Sequence, residues 1–526
     1  MDYHRASRLE ESTKVPPLDL NSRPPTAHIF DYANKTPLSS KLLDAPTPML
    51  TLLEQGLEAV PDSLHQPPQD LRTLSTWLHL AAGLRQRVAM PFGPAMVRAV
   101  PSADMSYPGE IYVAAFAIEG LPPGLHHYSV KEHALRHLRD APETLALLRR
   151  GRPDLHYLAT VPCALLVSTV FCRSTWSQGR RGYRQAILDC GHLVENLHAV
   201  AVGLGMNTVT RLRMTDSSMQ ELLGIPADVD YAHAEAVQAM VVWADGATKP
   251  LPIASHPNTT ELGTFPRPSC EGVVPFGSVL AVHHDVASTG VAIREIRPPM
   301  TDLTPVPAGV AMARFPVSSD LATGKSMRLV SLASVYTESF QPRSISRDLI
   351  VRFARCAFRS GTYFPLKPDG PHVALVRPFW VVQEVTGQDP GIWYYDPVID
   401  KWAHLNHGQY RQETTHFTRE RSMLAGASVL CVMVANVRKL LSEAGPDLYR
   451  LALMEAGIAA QRLNLASVSV GLGCRTFGDF NDDSWKNFLG LGNTGWDPLA
   501  VCAIGGRPGI AAKQAEAAAG TLEFRD

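Results

Sequence analysis

The feature of this 526-residue chain that most restricts its fold is an internal repeat. The stretch YRQAILDCGHLVENL at 183–197 matches YRLALMEAGIAAQRL at 449–463 at five of fifteen positions, with Asp189 answering Glu455. An apolar strand precedes each copy, VPCALLVSTVF at 161–171 and ASVLCVMVANV at 427–437, and a Gly-Leu-Gly string follows each, at 203–205 and 471–473. Upstream, GLHHYSV (124–130) answers GIWYYDP (391–397) at nearly the same offset. A repeat longer than a hundred residues that keeps its element order is a domain duplication rather than a solenoid. Tyr183, Ala186, Ile187, Cys190, Val194 and Leu197 recur at helical spacing, as do Tyr449, Ala452, Leu453, Ala456, Ala460 and Leu463. Each predicted helix therefore carries one apolar stripe. Gly191 and Gly457 keep its centre small enough for another element to approach closely. Glycine in the Gly-Leu-Gly string is expected to cap the helix, with the first copy two residues short of the second in the preceding run.

The segment RAVPSADMSYPGEIYV (98–113) places Pro101, Ser102, Ala103, Ser106 and Pro108 just before a β-branched and aromatic strand start. A stiff, small-residue segment there suits a wall that a flat ligand approaches closely. Residues 247–330 are rich in proline and glycine and read as an extended strap, with VLAVHHDVA (279–287) as a candidate strand. The expected domains are thus 1–246, 247–330 as linker, 331–510, and a tail at 511–526. With 49 basic and 50 acidic side chains, the chain has no field to attract nucleic acid or anionic lipid. No apolar h-region opens it and no run is long enough to span a bilayer, so a cytoplasmic location is expected. Eight scattered cysteines without a CxxC pair read as buried thiols, and no metal site is expected.

Taken in order, VPSADMSYPGEIYV, GLPPGLHHYSV and TWSQGRRGYRQAILDCGHLVENL resemble the SagB-type dehydrogenase branch of the FMN-dependent nitroreductase superfamily. The N-terminal DYHRASRL is similar too, and the second half carries the resemblance more weakly over 330–507. The resemblance implies an α+β fold: two nitroreductase-like domains in tandem, packed through their long helices as an intramolecular pseudo-dimer. It implies FMN in a groove built from both. The first groove would join Pro101, Ser102 and Ala103 to GLGCRTFGDF (471–480), where the Gly478-Asp479-Phe480 turn presents a backbone N–H to the flavin. The second would join KPDGPHVALV (367–376) to GLGMNTVTRLRM (203–214), with bulky side chains where the ring must lie. One FMN per chain is therefore expected.

Two departures bear on the chemistry. The family's Arg-Arg-Ser run is absent from LEQGLEAVPDS and ASVYTESF, leaving Arg98, Arg184, Arg450, Arg462 and Arg475 as phosphate candidates. The Lys-Tyr pair of azoline-oxidising members is replaced by Ser177-Gln178. Tyr107, Glu443, Asp479 and Asp104 are the remaining candidates for acid–base work. The expected function is FMN-dependent oxidation of a peptide or amino-acid-derived intermediate in natural-product biosynthesis. An NAD(P)H-dependent nitro or quinone reductase and a degenerate ligand-binding pseudoenzyme are the alternatives. The expected partners are a small-molecule or peptide substrate, with a homodimer of tandem chains compatible with the sequence. Gly490–Gly495 fits GxGxxG but opens no βαβ unit, and reads as a turn.

Overall fold

Two antiparallel sheets with the same strand order carry the repeat into three dimensions. The computed structural model describes residues 2–9, 19–88, 95–212, 216–225, 235–249, 251, 304–307, 309–318, 324–333, 337, 339–358, 374–418 and 424–507. The first sheet uses β1 (Lys35–Pro37), β4 (Gly109–Ala115), β5 (Gly124–Ser129), β6 (Ala134–Asp140), β7 (Cys163–Val170), β8 (Thr208–Leu212) and β9 (Glu235–Trp243), in the order β1-β6-β5-β4-β7-β9-β8. A separate ribbon pairs β2 (Leu84–Val88) with β3 (Ala95–Arg98). The second sheet uses β10 (Arg377–Val382), β11 (Gly391–Asp396), β12 (Lys401–His407), β13 (Val429–Asn436), β14 (Leu472–Phe477) and β15 (Trp496–Gly506). Its order, β12-β11-β10-β13-β15-β14, is that of the first sheet without the edge strand β1. The fold is α+β, with two like domains in tandem.

Strand alternation sets the layers. Along β4, Ile111, Val113 and Ala115 join the core shared with the other half, whereas Tyr112 and Ala114 join an outer core of the first half. Phe379, Val381, Val432 and Val434 likewise face an outer core of the second half. Between the sheets run α3 (Gly182–Gly203) and α4 (Pro446–Ser469), buried along almost their whole length. They touch at the two glycines the repeat singled out. A Cβ on Gly191 would stand 2.3 Å from the Met454 carbonyl oxygen, and one on Gly457 2.1 Å from that of Leu188. Helix α1 (Leu71–Ala82), capped by the Asp70 carboxylate on the Thr73 N–H, packs on α3 and donates Trp77 Nε1–H to the Leu197 carbonyl at 2.7 Å.

The caps correct one detail of the repeat. Gly205 follows α3 and Gly471 follows α4, both at φ 78°. Each lies eight residues beyond its repeat leucine, Leu197 or Leu463, so the two Gly-Leu-Gly strings are offset by two and the helices end in register. The described parts of the strap clasp both halves. Ala313 pairs with Trp402, and the N–H groups of Met49 and Met327 donate to the Lys325 and Thr47 carbonyls. Residues 279–287 lie outside the described residues, as does the tail. Six cysteines are buried free thiols, but Cys172 is disulfide-bonded, against the expectation of thiols alone. Among the described residues no helix is long and apolar enough to cross a membrane.

Candidate functional site

The segment between β3 and β4 is a strained wall. Asp104, Met105 and Tyr107 all take positive φ, 50°, 51° and 44°, in a stretch of four residues. Non-glycine residues seldom hold that conformation unless their surroundings impose it. Here the constraints are visible. Ser102 Oγ accepts the Tyr107 N–H at 2.9 Å and donates to Asp189 Oδ2 at 2.5 Å. The Tyr107 hydroxyl accepts the Arg98 N–H at 3.1 Å, and Arg173 donates to the Tyr107 carbonyl. Gln178, at the end of helix α2 (Phe171–Gln178), donates to the Asp104 carboxylate.

This wall faces the second half across an open-mouthed cleft. Pro101, Ser102, Ala103 and Tyr107 line one side; Thr337, Asn464, Cys474, Arg475 and Thr476 line the other. The floor is α3: Gln185, Asp189 and His192. Gln185 bridges the two sides, donating Nε2–H to Asp189 Oδ1 at 2.8 Å while its Oε1 would lie 1.7 Å from a Cβ on Gly478. A side chain at position 478 would have to turn the Gln185 amide away. The Gly478 carbonyl accepts Arg181 Nε–H, and the Arg181 guanidinium lies 4.4 Å over the Phe480 ring. The Gly478-Asp479-Phe480 turn of one half is therefore held by the other, behind Gln185. Asp479 is half-buried within this turn.

The sequence candidates divide. Pro101, Ser102, Ala103, Arg98, Tyr107 and Arg475 line the cleft. Arg184 and Arg462 do not, because buried carboxylates and carbonyls take them. Arg184 pairs with Asp482 at 2.9 Å, in helix α5 (Asp482–Phe488), and donates to the Pro498 carbonyl. Arg462 pairs with Glu195 at 3.2 Å and donates to the Leu53 carbonyl. Arg450 faces Asp447 and Gln238. Glu443 lies in the helix Val437–Ala444, and its side chain is outside the described residues.

Reading from sequence missed a basic corner. A Cβ on Gly473 would meet Thr337 Cγ2 at 2.9 Å and Arg507 Cγ at 3.1 Å, and one on Gly506 would meet Arg343 Cβ at 2.9 Å. Arg475 donates to the Thr337 carbonyl at 3.3 Å. Thr337 Oγ1, buried at the cleft, has no hydrogen-bond partner among the described residues. Arg475, Arg507 and Thr337 thus lie on the Gly473 face of the sheet, whereas Arg343 packs on the opposite face, at Gly506. The fold lays residues 341–343 along the end of β15, where the Gln341 N–H donates to the Gly506 carbonyl at 2.9 Å.

Of the second groove, 359–373 lies outside the described residues. Glu455, the counterpart of Asp189, accepts the N–H groups of Leu375 and Val376 at 3.0–3.1 Å. Gly490–Gly495 is the turn from α5 into β15.

The family model described as the nitroreductase family matches residues 49–241 and 339–506, one match per sheet. The chain belongs to the nitroreductase family. The two matches fall on the two halves that build the cleft, so the tandem arrangement is that of this family used twice. A Methanocaldococcus jannaschii protein named as a nitroreductase, MJ1384, is 28% identical over 158 residues, 30% of this chain and 76% of that protein. The crystal structure of an Anabaena variabilis protein assigned to the nitroreductases superposes with a TM-score of 0.71. It covers 96% of this chain and 99% of its own at 22% identity, so the whole two-half fold recurs there. A Ralstonia eutropha JMP134 protein of the same assignment covers 39% of this chain and 93% of its own, at 16% identity and a TM-score of 0.31.

Proposed function

We propose that this nitroreductase-family chain is an FMN-dependent dehydrogenase with one flavin in the cleft, acting on a peptide or amino-acid-derived intermediate. The observation that carries the reading is the pairing across that cleft. A stiff wall of Pro101, Ser102 and Ala103 stands opposite a strand bearing Arg475 and the Thr337 hydroxyl, unpartnered among the described residues, with Arg507 beside them at Gly473. These residues fit FMN by their chemistry. A flat ring needs a wall without large side chains, and a phosphate needs guanidinium donors and a free hydroxyl. Bound FMN would supply reversible two-electron acceptance as hydride. The chain's own parts do the rest. Ser102 and Ala103 would bring backbone close to the ring plane, and Arg475, with Arg507 and Thr337 beside it, would hold the phosphate. The Gly478-Asp479 turn, fixed by Arg181, would present its N–H groups to the ring edge. The peptide-type substrate class rests on the SagB-like motifs.

Purified protein is expected to be yellow with bound FMN, and Ser102→Trp is expected to remove the flavin absorbance while the protein stays folded by circular dichroism. Unchanged flavin content in that variant would refute the placement. Arg475→Ala and Arg507→Ala are each expected to weaken FMN about tenfold or more, the scale of a lost charge-assisted hydrogen bond. Riboflavin, lacking the phosphate, should lose far less, and titration calorimetry with both ligands reads the difference. Equal losses for FMN and riboflavin would remove the corner from the phosphate role. The Ser177-Gln178 replacement favours one second reading, a nicotinamide-driven reductase, because Gln178 is tied to Asp104 and carries no titratable proton. Anaerobic bleaching by NADH or NADPH would select it.

A further inference from the structure

Asp189 lies at the centre of the cleft floor, and none of the roles above uses its carboxyl. It borders the cleft and also a smaller cavity behind the wall, lined by Arg98, Ser102, Tyr107 and Glu110. Its two oxygens are divided between the two sides. Oδ2 meets the Ser102 hydroxyl at 2.5 Å, and Oδ1 meets the Gln185 amide that abuts Gly478. We propose that Asp189 is the proton store of the cleft, exchanging protons with bound substrate through the Ser102 hydroxyl. This rests on the dehydrogenase reading. In the oxidative direction a substrate X–H bond breaks and its proton goes to Ser102 Oγ. The Ser102 proton moves to Asp189 Oδ2, and the bonding electrons stay on the substrate. The adjacent C–H bond of the substrate breaks as well: its hydride, carrying the two electrons, would go to bound FMN, and the electron pair left on X closes the new double bond, so the substrate loses one proton and one hydride. In the reverse direction the protonated carboxyl returns the proton along the same pair.

The surroundings suit the task. Burial pushes the Asp189 carboxyl up to about 7, although the Ser102 hydroxyl, the Gln185 amide and the Ala103 N–H favour its charged form; Asp104 pushes it further up. Arg98, Glu110 and Tyr107 line the cavity on the wall side, Cys190 adjoins it on α3, His192 follows on the same floor, and Arg475 stands across the cleft. His192 is held neutral, burial lowering it to about 4, so it offers no competing proton near neutrality. A group tuned to neutral pH is the one suited to both accept and release a proton. Glu455 at the repeat-related position cannot serve in this way, since backbone N–H groups occupy it.

Three measurements test this. In the ligand-free protein, the folded state keeps the Asp189 proton to a higher pH than the unfolded chain. Stability should therefore fall as pH rises from about 4 to about 7, and Asp189→Asn should remove its share of that fall, leaving the share of Glu195, which burial also pushes up to about 7. Protonated-carboxyl infrared absorbance titrating near neutrality, to which Asp189 and Glu195 both contribute, should lose the contribution of one carboxyl in the same variant. In dithionite-reduced, FMN-loaded protein mixed anaerobically with p-benzoquinone, the wild-type rate should drop as pH rises through neutrality. Asp189→Asn should be slower about tenfold or more and lack that limb, Asp189→Glu should restore a shifted limb, and Ser102→Ala should behave as Asp189→Asn. Flavin content decides the dehydrogenase reading separately: wild-type protein that takes up no FMN ends that reading. FMN-loaded Asp189→Asn with the wild-type pH profile, or infrared absorbance near neutrality undiminished by the substitution, overturns the proton store while leaving the flavin site standing.

Discussion

Gly191→Ala and Gly457→Ala are expected to lower the thermal midpoint of the whole chain, and Gly191→Leu to abolish soluble protein. Helix propensity alone argues the opposite: glycine to alanine inside a helix gains about 1 kcal/mol. The crossing of α3 and α4 decides the sign. The added carbon falls 2.3 Å from the Met454 carbonyl oxygen at Gly191, and 2.1 Å from that of Leu188 at Gly457. Both obstacles are backbone, so no side chain can turn away, and the helices must separate. Overpacking of this kind costs about 1–3 kcal/mol and more when backbone must move. Because both helices belong to one core spanning the two halves, the loss should appear as a single lowered transition, accompanied by loss of FMN. A midpoint that rises in either alanine variant, followed by circular dichroism, would show that the helices do not meet at these glycines.

Asp482→Ala is expected to be strongly destabilising. Arg181 meets Asp482 Oδ2 at 2.5 Å and Arg184 meets Oδ1 at 2.9 Å, with all three side chains buried between the halves. The Leu9 N–H also donates to Oδ2, at 3.0 Å. Removing the carboxylate strands two guanidinium groups in a dry interface, a change worth about 3–5 kcal/mol. Asp482→Asn keeps hydrogen-bonding oxygen but not charge and should fall between. The pH dependence follows. Burial pushes the Asp482 carboxyl up, but Arg181 and Arg184 pull it further down, leaving it well below the ordinary carboxylate range. A carboxylate whose folded value is depressed contributes stability above about pH 4 that is lost as pH falls through its folded value. Wild-type denaturant midpoints should therefore drop on acidification, and Asp482→Ala should show less of that drop. Equal acid sensitivity, or a wild-type midpoint in Asp482→Ala, would contradict the pairing. Flavin uptake should suffer as well, because Arg181 also fixes the Gly478 carbonyl.

Much of the architecture was legible because it is written in local patterns. The repeat at 183–197 and 449–463 forecast two like sheets and two central helices, and small residues at Gly191 and Gly457 forecast their close approach. The Pro101-Ser102-Ala103 wall and GLGCRTFGDF were expected to face one another, and they line or border one cleft. The failures share a cause. Arg184 and Arg462 look like free cations in a string of letters, but their partners Asp482 and Glu195 lie hundreds of residues away along the chain. Arg507 carried no pattern, since only the packing around Gly473 brings it beside Thr337 and Arg475. Asp189 read as one more conservative position of a repeat. The matching Gly-Leu-Gly strings misled by two residues, because identical letters outweighed the cap geometry at Gly205 and Gly471.

By itself the sequence determined the elements, their duplication and the chemistry available to the wall, since periodicity, glycine and proline act over a few residues. Which charges are spent on one another, and which remain for a ligand, was decided only when the two halves met. Desolvation and Coulomb energy depend on distances through space, and those distances do not exist until the helices cross.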